Sequence, residues 1–328
     1  MEKIMDLSTS FMNLFLPNPV IVSSSSLTAT IDGVKNAVNA GAGAVVLKSL
    51  FEEDIAAGVE RSRKDAAISH SEAEAYMEQL GMLLEPDAYL TLVEESVQAV
   101  DVPVIASLNC YSDKWWTDYA ERIENVGADA IELNLSPIAL DQKTSAKDIE
   151  NMLVNMVKLA RKTVKLPLAV KIGQNYSALP HLANRIRQAG ANSLTLFNRY
   201  YKFDIDIEEL SFKSGNSLSA KEEFGPVLRW IGILSDITEL DISASTGVYD
   251  ASDLIKVLLA GGNAAQFCSV LYREGLEVIG KVLIDLTAWM EKHNYSNLSE
   301  FQSLLSHEDD KNNAFYQRLQ YVKALRDK

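Results

Sequence analysis

Polar side chains stand at the ends of eight short apolar runs in this 328-residue chain, and two of them are lysines. Lys48 lies in "AVVLKSL" (44–50) and Lys171 in "PLAVKIG" (167–173). An ammonium placed inside an apolar run costs several kcal/mol unless an anion offsets it. For Lys171 that anion is either Glu132, on a neighbouring run, or negative charge on a bound ligand. Lys48 reads equally as a rim residue with its ammonium in water or as a ligand contact. Asn109, Asn134 and Asn198 end three further runs, and in "AIELNLS" (130–136) strand alternation puts Glu132, Asn134 and Ser136 on one face. The remaining run ends carry Ser23, Ser24 and Ser25, then Ser49, then Ser245, Thr246 and Gly247, then Cys268 and Ser269.

What must position these groups is a repeat. The runs "PVIVSSS" (19–25), "PVIASLN" (103–109), "SLTLFN" (193–198), "LDISASTG" (240–247) and "AAQFCSVL" (264–271) complete the set of eight predicted strands. Between them lie stretches such as "IDGVKNAVNAG", "PDAYLTLVEESVQAV" and "AKDIENMLVNMVKLARKTV", whose apolar residues recur every three to four positions, as in helices with one buried face. "NAGAGAVVL", "ENVGADAIEL", "RQAGANSLTL" and "LAGGNAAQF" repeat one punctuation, a glycine suited to a left-handed helix cap before the next strand. Eight near-continuous apolar strands alternating with helices fit an α/β fold, a closed (β/α)8 TIM barrel, better than an open sheet. The chain is expected to be a single domain over 1–328, with long connections at 51–85 and 199–224 and a C-terminal extension over 294–328. In such a barrel the active site forms where the strands end. Loops after the last two strands often bind phosphate there through backbone N–H groups; in "ISASTGVYDASD" a plain strand-to-helix turn explains the glycine as well.

Composition narrows the partners. With 31 basic and 45 acidic residues the net charge is −14 and no basic block occurs, which argues against nucleic acid or anionic lipid. No apolar stretch reaches membrane-spanning length and the first residues lack a signal-peptide pattern, so a cytoplasmic protein is expected. Cys110 and Cys268 are the only cysteines, too few for a four-cysteine cluster, and His70, His181, His293 and His307 lack ligand spacing; no metal site is expected.

In order and spacing, "MDLSTSFMNLFLPNPVIVSSSSLT", "GAVVLKSLFEE", "PVIASLN", "IELNLS", "LAVKI", "LFNRYYKFDID", "STGVYDASD" and "CSVLYREG" resemble the dihydroorotate dehydrogenase family, in particular its soluble class 1 flavoproteins. The resemblance implies flavin mononucleotide (FMN) across the barrel mouth. It implies contacts from Ser23 and Ser24 at the flavin edge, Lys48 and Ser49 at its polar rim, and Asn134 and Lys171 at its ring. Gly247, Val248, Cys268 and Ser269 would receive the phosphate, Asn134 and Asn198 would grip the substrate, and the chain would form a homodimer. Lys171 fits the role physically, because reduced flavin gains negative charge that a fixed cation stabilises.

The chain departs from the family pattern where the base should be. The family's Asn-Leu-Ser-Cys-Pro-Asn reads "NLSPIA" here, so Pro137 stands at the base position and Ala139 replaces an asparagine. Proline has no acid–base group. Ser136, Cys110, Tyr111 and Ser112 are the alternatives, and the substrate segment after the second strand has no clear counterpart in "SHSEAEAYMEQLG". The expected function is therefore FMN-dependent hydride transfer to or from a small polar cyclic molecule, dihydroorotate or a relative of it in pyrimidine metabolism. The catalytic candidates are Lys48, Asn134, Ser136 and Lys171. Two alternatives stand beside it: a flavin-free lyase for a phosphorylated metabolite, using Lys171 or Lys48 as a Schiff-base nucleophile, and a flavin-binding scaffold without turnover.

Overall fold

The computed structural model describes residues 5–54, 86–109, 116–199, 202–214 and 218–306. A hairpin that the strand pattern does not announce comes first: β1 (Thr9–Phe11) pairs antiparallel with β2 (Leu14–Leu16). Met12 and Asn13 form its two-residue turn with φ of 57° and 61°, the hand that matches paired strands. Met12 is fully buried and its N–H donates to Asp241 Oδ2 at 2.8 Å, which holds an otherwise strained residue in place. Burial pushes the Asp241 carboxyl above its usual range, against the pull of the Met12 and Asn13 amides and of Asn263.

The repeat follows as β3 (Val20–Val22), α1 (Ile31–Asn39), β4 (Ala44–Val46), β5 (Leu50–Phe51), α2 (Pro86–Ala99), β6 (Val104–Asn109) and α3 (Trp116–Asn125). It continues through β7 (Ala130–Leu135), α4 (Ala146–Thr163), β8 (Leu168–Ile172), α5 (Leu179–Gln188) and β9 (Ser193–Leu196). The 199–224 connection holds a second hairpin, β10 (Phe203–Asp206) with β11 (Ser211–Ser214). Then come α6 (Phe224–Leu234), β12 (Asp241–Ser245), α7 (Ala251–Leu259), β13 (Ala264–Phe267), α8 (Ser269–Glu274) and α9 (Val278–Lys292). The parallel order β3-β4-β6-β7-β8-β9-β12-β13 closes through pairing of β13 with β3, and β5 extends the β4 side along β6. This is the expected (β/α)8 barrel.

The turn punctuation is what the repeat requires. Gly41, Gly127, Gly190 and Gly261 all take positive φ, between 92° and 108°. Two positions after the last three of these, an Asp or Asn side chain reaches across to the preceding strand. Asp129 accepts from Val104 N at 2.8 Å, and Asn192 and Asn263 accept from Leu168 N and Ile242 N at 2.9 Å. Each such bond sets the starting register of neighbouring strands.

Several expected strands are shorter: the 19–25 run is a strand only over Val20–Val22, and the 44–50 run divides into β4 and β5. Over 264–271 the chain leaves the sheet at Phe267, and Cys268 turns it into α8, where Leu271 N donates back to the Cys268 carbonyl. The main core fills the space between the sheet and the helices. A second cluster, with Phe11, Met12 and Leu16 of the hairpin against Ile21, Val46, Ile105 and alanines at the strand starts, plugs the end of the barrel away from the site. Burying such side chains stabilises by about 1.5–3 kcal/mol each. Residues 294–306 pack back on the helices, with Ser303 N and Leu305 N donating to the Leu258 and Leu259 carbonyls and the Phe301 ring edge-on to Trp289.

Candidate functional site

Inside the barrel, above the plugged end, the inward side chains become polar one strand after another. Register puts Asn134 beside Lys171, Lys171 beside Thr195, Thr195 beside Ser243, and Gln266 beside Ser245. Lys171 is 6% exposed. Its Nζ donates to Gln266 Oε1 at 2.9 Å and Ser23 Oγ at 3.1 Å, and lies 3.7 Å from Glu132 Oε1. Lys171 thus has a carboxylate beside it and also lines a cavity.

That cavity, about 130 Å³ with an open outer side, gathers Ser23, Ser24, Lys171, Asn198, Gly247, Val248, Cys268 and Ser269, the termini of the strands at positions one, five, six, seven and eight. Asn134 and Ser136 join it through Asn198, whose Nδ2 donates to Asn134 Oδ1 at 2.8 Å and Ser136 Oγ at 3.1 Å. Ser49 joins it through hydroxyl contacts to Ser24 Oγ at 3.0 Å and Ser107 Oγ at 2.8 Å. Lys48 is not among the described lining residues; its backbone N–H donates to the Thr28 carbonyl and its side chain is half-buried. Cys110, Tyr111, Ser112 and the "SHSEAEAYMEQLG" segment lie outside the described residues.

At one end the walls are small and hydroxyl-rich. Thr246 and Gly247 take φ of 81° and 76°. Successive residues in this conformation turn the chain sharply after β12, and the Gly247 N–H donates to Ser219 Oγ at 3.2 Å. Ser219 N and Oγ in turn donate to Ser269 Oγ at 2.8 and 2.9 Å, so the long connection is stitched to the last two loops. Burial pushes the Cys268 thiol up, with the Lys171 charge and a Ser25 hydrogen bond pulling it partly back, so it is a poor nucleophile. Arg199 also lines the cavity and is held by Glu223 at 3.0 Å.

Gly247 has a testable consequence. A Cβ there would lie 2.5 Å from Phe224 N, in addition to the positive φ. Gly247→Ala is expected to lower stability by roughly 2–4 kcal/mol in urea unfolding. Gly225→Ala, with open space around the new carbon, is the control and should leave stability unchanged or slightly raised.

Sequence reasoning missed Gln266, Thr195, Ser219 and Arg199. Gln266 did carry a signal, a long amide inside an apolar strand on the inward alternation. Ser219 carried none, because nothing local to the long connection says where it returns.

The family model described as dihydroorotate dehydrogenase matches residues 6–290. A protein of Methanocaldococcus jannaschii named dihydroorotate dehydrogenase B (NAD(+)), catalytic subunit, is 25% identical over 301 residues, covering 88% of this chain and 94% of that protein. Proteins of the same name from Methanothermobacter thermautotrophicus and Pyrococcus furiosus are each 26% identical. The first covers 91% of this chain and 98% of its own length, the second 92% and 99%.

Proposed function

The chain belongs to the dihydroorotate dehydrogenase family, a family of flavin-dependent dehydrogenases, and from that premise we propose that it is an FMN-dependent oxidoreductase acting on a small, polar, cyclic substrate. The observation that carries this reading is the buried Lys171 ammonium at the cavity wall, beside the Asn134–Asn198–Ser136 cluster. A cation fixed in a dry wall stabilises negative charge that grows on a ligand next to it. The hydroxyls and tight backbone around Gly247 and Ser269 suit a phosphate at the other end. These residues fit FMN: Ser23, Ser24, Ser49, Asn134 and Lys171 toward the ring, with Lys48 at its outer rim, and Gly247, Val248, Cys268 and Ser269 toward the phosphate.

When bound, the flavin supplies the two-electron acceptor. The chain's own residues do the rest: Lys171 holds the charge, and Asn134 and Asn198 orient the substrate through amide hydrogen bonds. No side-chain base stands at Pro137, and we read the substrate as a relative of dihydroorotate rather than dihydroorotate itself. The similar archaeal proteins are named for NAD(+), which favours that acceptor by way of a further subunit. Lys171 is ringed by acceptors, Ser23, Gln266 and Glu132. That environment suits an ammonium and not the neutral amine a Schiff-base lyase needs.

Purified protein is expected to be yellow and to release FMN on denaturation. Colourless protein that borohydride traps onto a carbonyl substrate would instead establish the lyase, and flavin that no candidate substrate reduces would establish the scaffold without turnover.

The proposal extends to a cytoplasmic, single-domain chain that works as a homodimer. Among the described residues no helix is long and apolar enough to cross a membrane. The β10–β11 hairpin is two-faced: Asp204 and Asp206 flank Lys213 on one side, while Ile205, opposite Phe212, is 52% exposed and Phe212 80%. Ile207 and Leu210 at its tip are 76% and 86% exposed. Exposed apolar surface of this kind marks a contact. The double variant Ile205→Asp/Phe212→Asp is expected to sediment as a monomer where wild type sediments as a dimer; a monomeric wild type would sink the homodimer.

A further inference from the structure

Glu132 is a carboxylate at 1% exposure that the flavin reading leaves without a task. Its Oε2 accepts from Gln266 Nε2 at 2.5 Å and from Thr195 Oγ1 at 3.1 Å. The Thr195 hydroxyl itself accepts from Ser243 Oγ at 3.0 Å, which commits its own proton to the carboxylate. Among the described residues Oε1 has no hydrogen-bond partner, and it stands 3.7 Å from Lys171 Nζ. That separation is long for an ion pair between two buried groups. What holds them apart is visible. Gln266 lies between them, with Nε2 on the carboxylate and Oε1 on the ammonium at 2.9 Å. Ser23 then fills a second position on Nζ at 3.1 Å.

We propose that Glu132 is a positioning residue which, held off by Gln266 and Thr195, sets how much positive potential Lys171 presents to the cavity. The arrangement solves two problems at once. A buried lysine without a counter-charge would destabilise the fold, and a lysine in direct contact with its carboxylate would have its charge spent before any ligand arrived. At 3.7 Å with no shared proton the pair is neutral overall, yet the ammonium still has a donor direction that no described acceptor takes at hydrogen-bond distance. A ligand that becomes more negative on accepting electrons would feel the lysine strongly and the more distant carboxylate weakly. This inference rests on FMN being that ligand.

The test is the midpoint potential of bound FMN, titrated anaerobically against a reference dye. Glu132→Gln keeps size and hydrogen bonding but removes the opposing charge. It should bind reduced flavin about tenfold more tightly relative to oxidised flavin, an upward shift of ~30 mV for a two-electron couple. Thr195→Val removes one of the two donors that tie Oε2 down and lets the carboxylate swing toward Lys171, so its midpoint should move downward. A merely structural role predicts no shift, or shifts of one sign, in flavin-loaded variants, and either result overturns the proposal. If Glu132→Gln does not fold, the direction of the Thr195→Val shift decides alone. Wild-type protein that binds no FMN would overturn the cofactor reading, and this inference with it; a flavin-loaded series at constant midpoint overturns this inference only.

Discussion

Lys171→Met is expected to cost about 3–5 kcal/mol of stability, because it strands the buried Glu132 carboxylate without a counter-charge. It should also weaken FMN binding roughly 10–100-fold, the worth of a hydrogen bond from a charged donor, and slow flavin reduction by about 100-fold or more, as removal of a fixed charge-stabilising donor does. Loss of flavin in an unstable variant says little by itself, so the decisive comparison is the double variant Lys171→Met/Glu132→Gln. Replacing both partners of a buried pair with neutral groups of similar volume is often harmless to folding. Urea unfolding of the double variant should return to within about 1 kcal/mol of wild type. FMN titration should stay weak. Recovered flavin affinity in the stable double variant would remove Lys171 from the ligand site and leave it a structural ion pair.

The barrel was legible because its determinants are local and repeated. Each strand is a short apolar run, and three of the helices end on a glycine with positive φ two residues before an Asp or Asn that sets register, Gly127 with Asp129, Gly190 with Asn192 and Gly261 with Asn263. Site residues carried on strands inherited that clarity. Alternation alone puts Asn134 and Lys171 in the barrel mouth, and register makes them neighbours. What stayed hidden depends on contacts between distant parts of the chain. Met12 and Asn13 carry no strong turn signal between two apolar stretches, and only the Asp241 carboxylate, 229 positions from Met12, shows why the chain turns there. Ser219 is one serine among several in a long connection until it meets Ser269. The end of β13 was misplaced for a related reason: "AAQFCSVL" is apolar throughout, and periodicity over so few residues does not separate a strand running on from a strand followed by a buried helical turn. Lys48 is a different case: its position at a strand end matched the pattern, yet its backbone is tied to Thr28 and the described lining of the cavity does not include it.

Anaerobic mixing with dihydroorotate is expected to bleach the FMN-loaded protein slowly, and Pro137→Cys is expected to raise that rate by about 100-fold or more, the ordinary worth of a positioned general base. The reasoning is chemical. Oxidising a saturated carbon pair requires a proton to leave one carbon as the hydride leaves the other, and β7 ends in Asn134 and Leu135, with Ser136 and Pro137 following it. Ser136 is the hydroxyl next to Pro137 in the chain, but the hydrogen bond it receives comes from the Asn198 amide, a donor that has no capacity to accept a proton. An unactivated hydroxyl is a weak base at neutral pH. On the proposed reading, the Asn134 and Asn198 amides and the Lys171 cation would therefore bind and polarise a dihydroorotate-like ring while the proton stayed in place. Wild-type protein that bleaches with dihydroorotate as fast as the Pro137→Cys variant would show that a base acts from elsewhere; if Ser136→Ala then abolished the reaction, that base would be Ser136. A wild type inert to dihydroorotate but quickly reduced by a ring whose proton is already acidic, or already held on a heteroatom, would locate the change of substrate in residues 136–141. The absence of a side-chain base at Pro137 would then match a substrate that needs none.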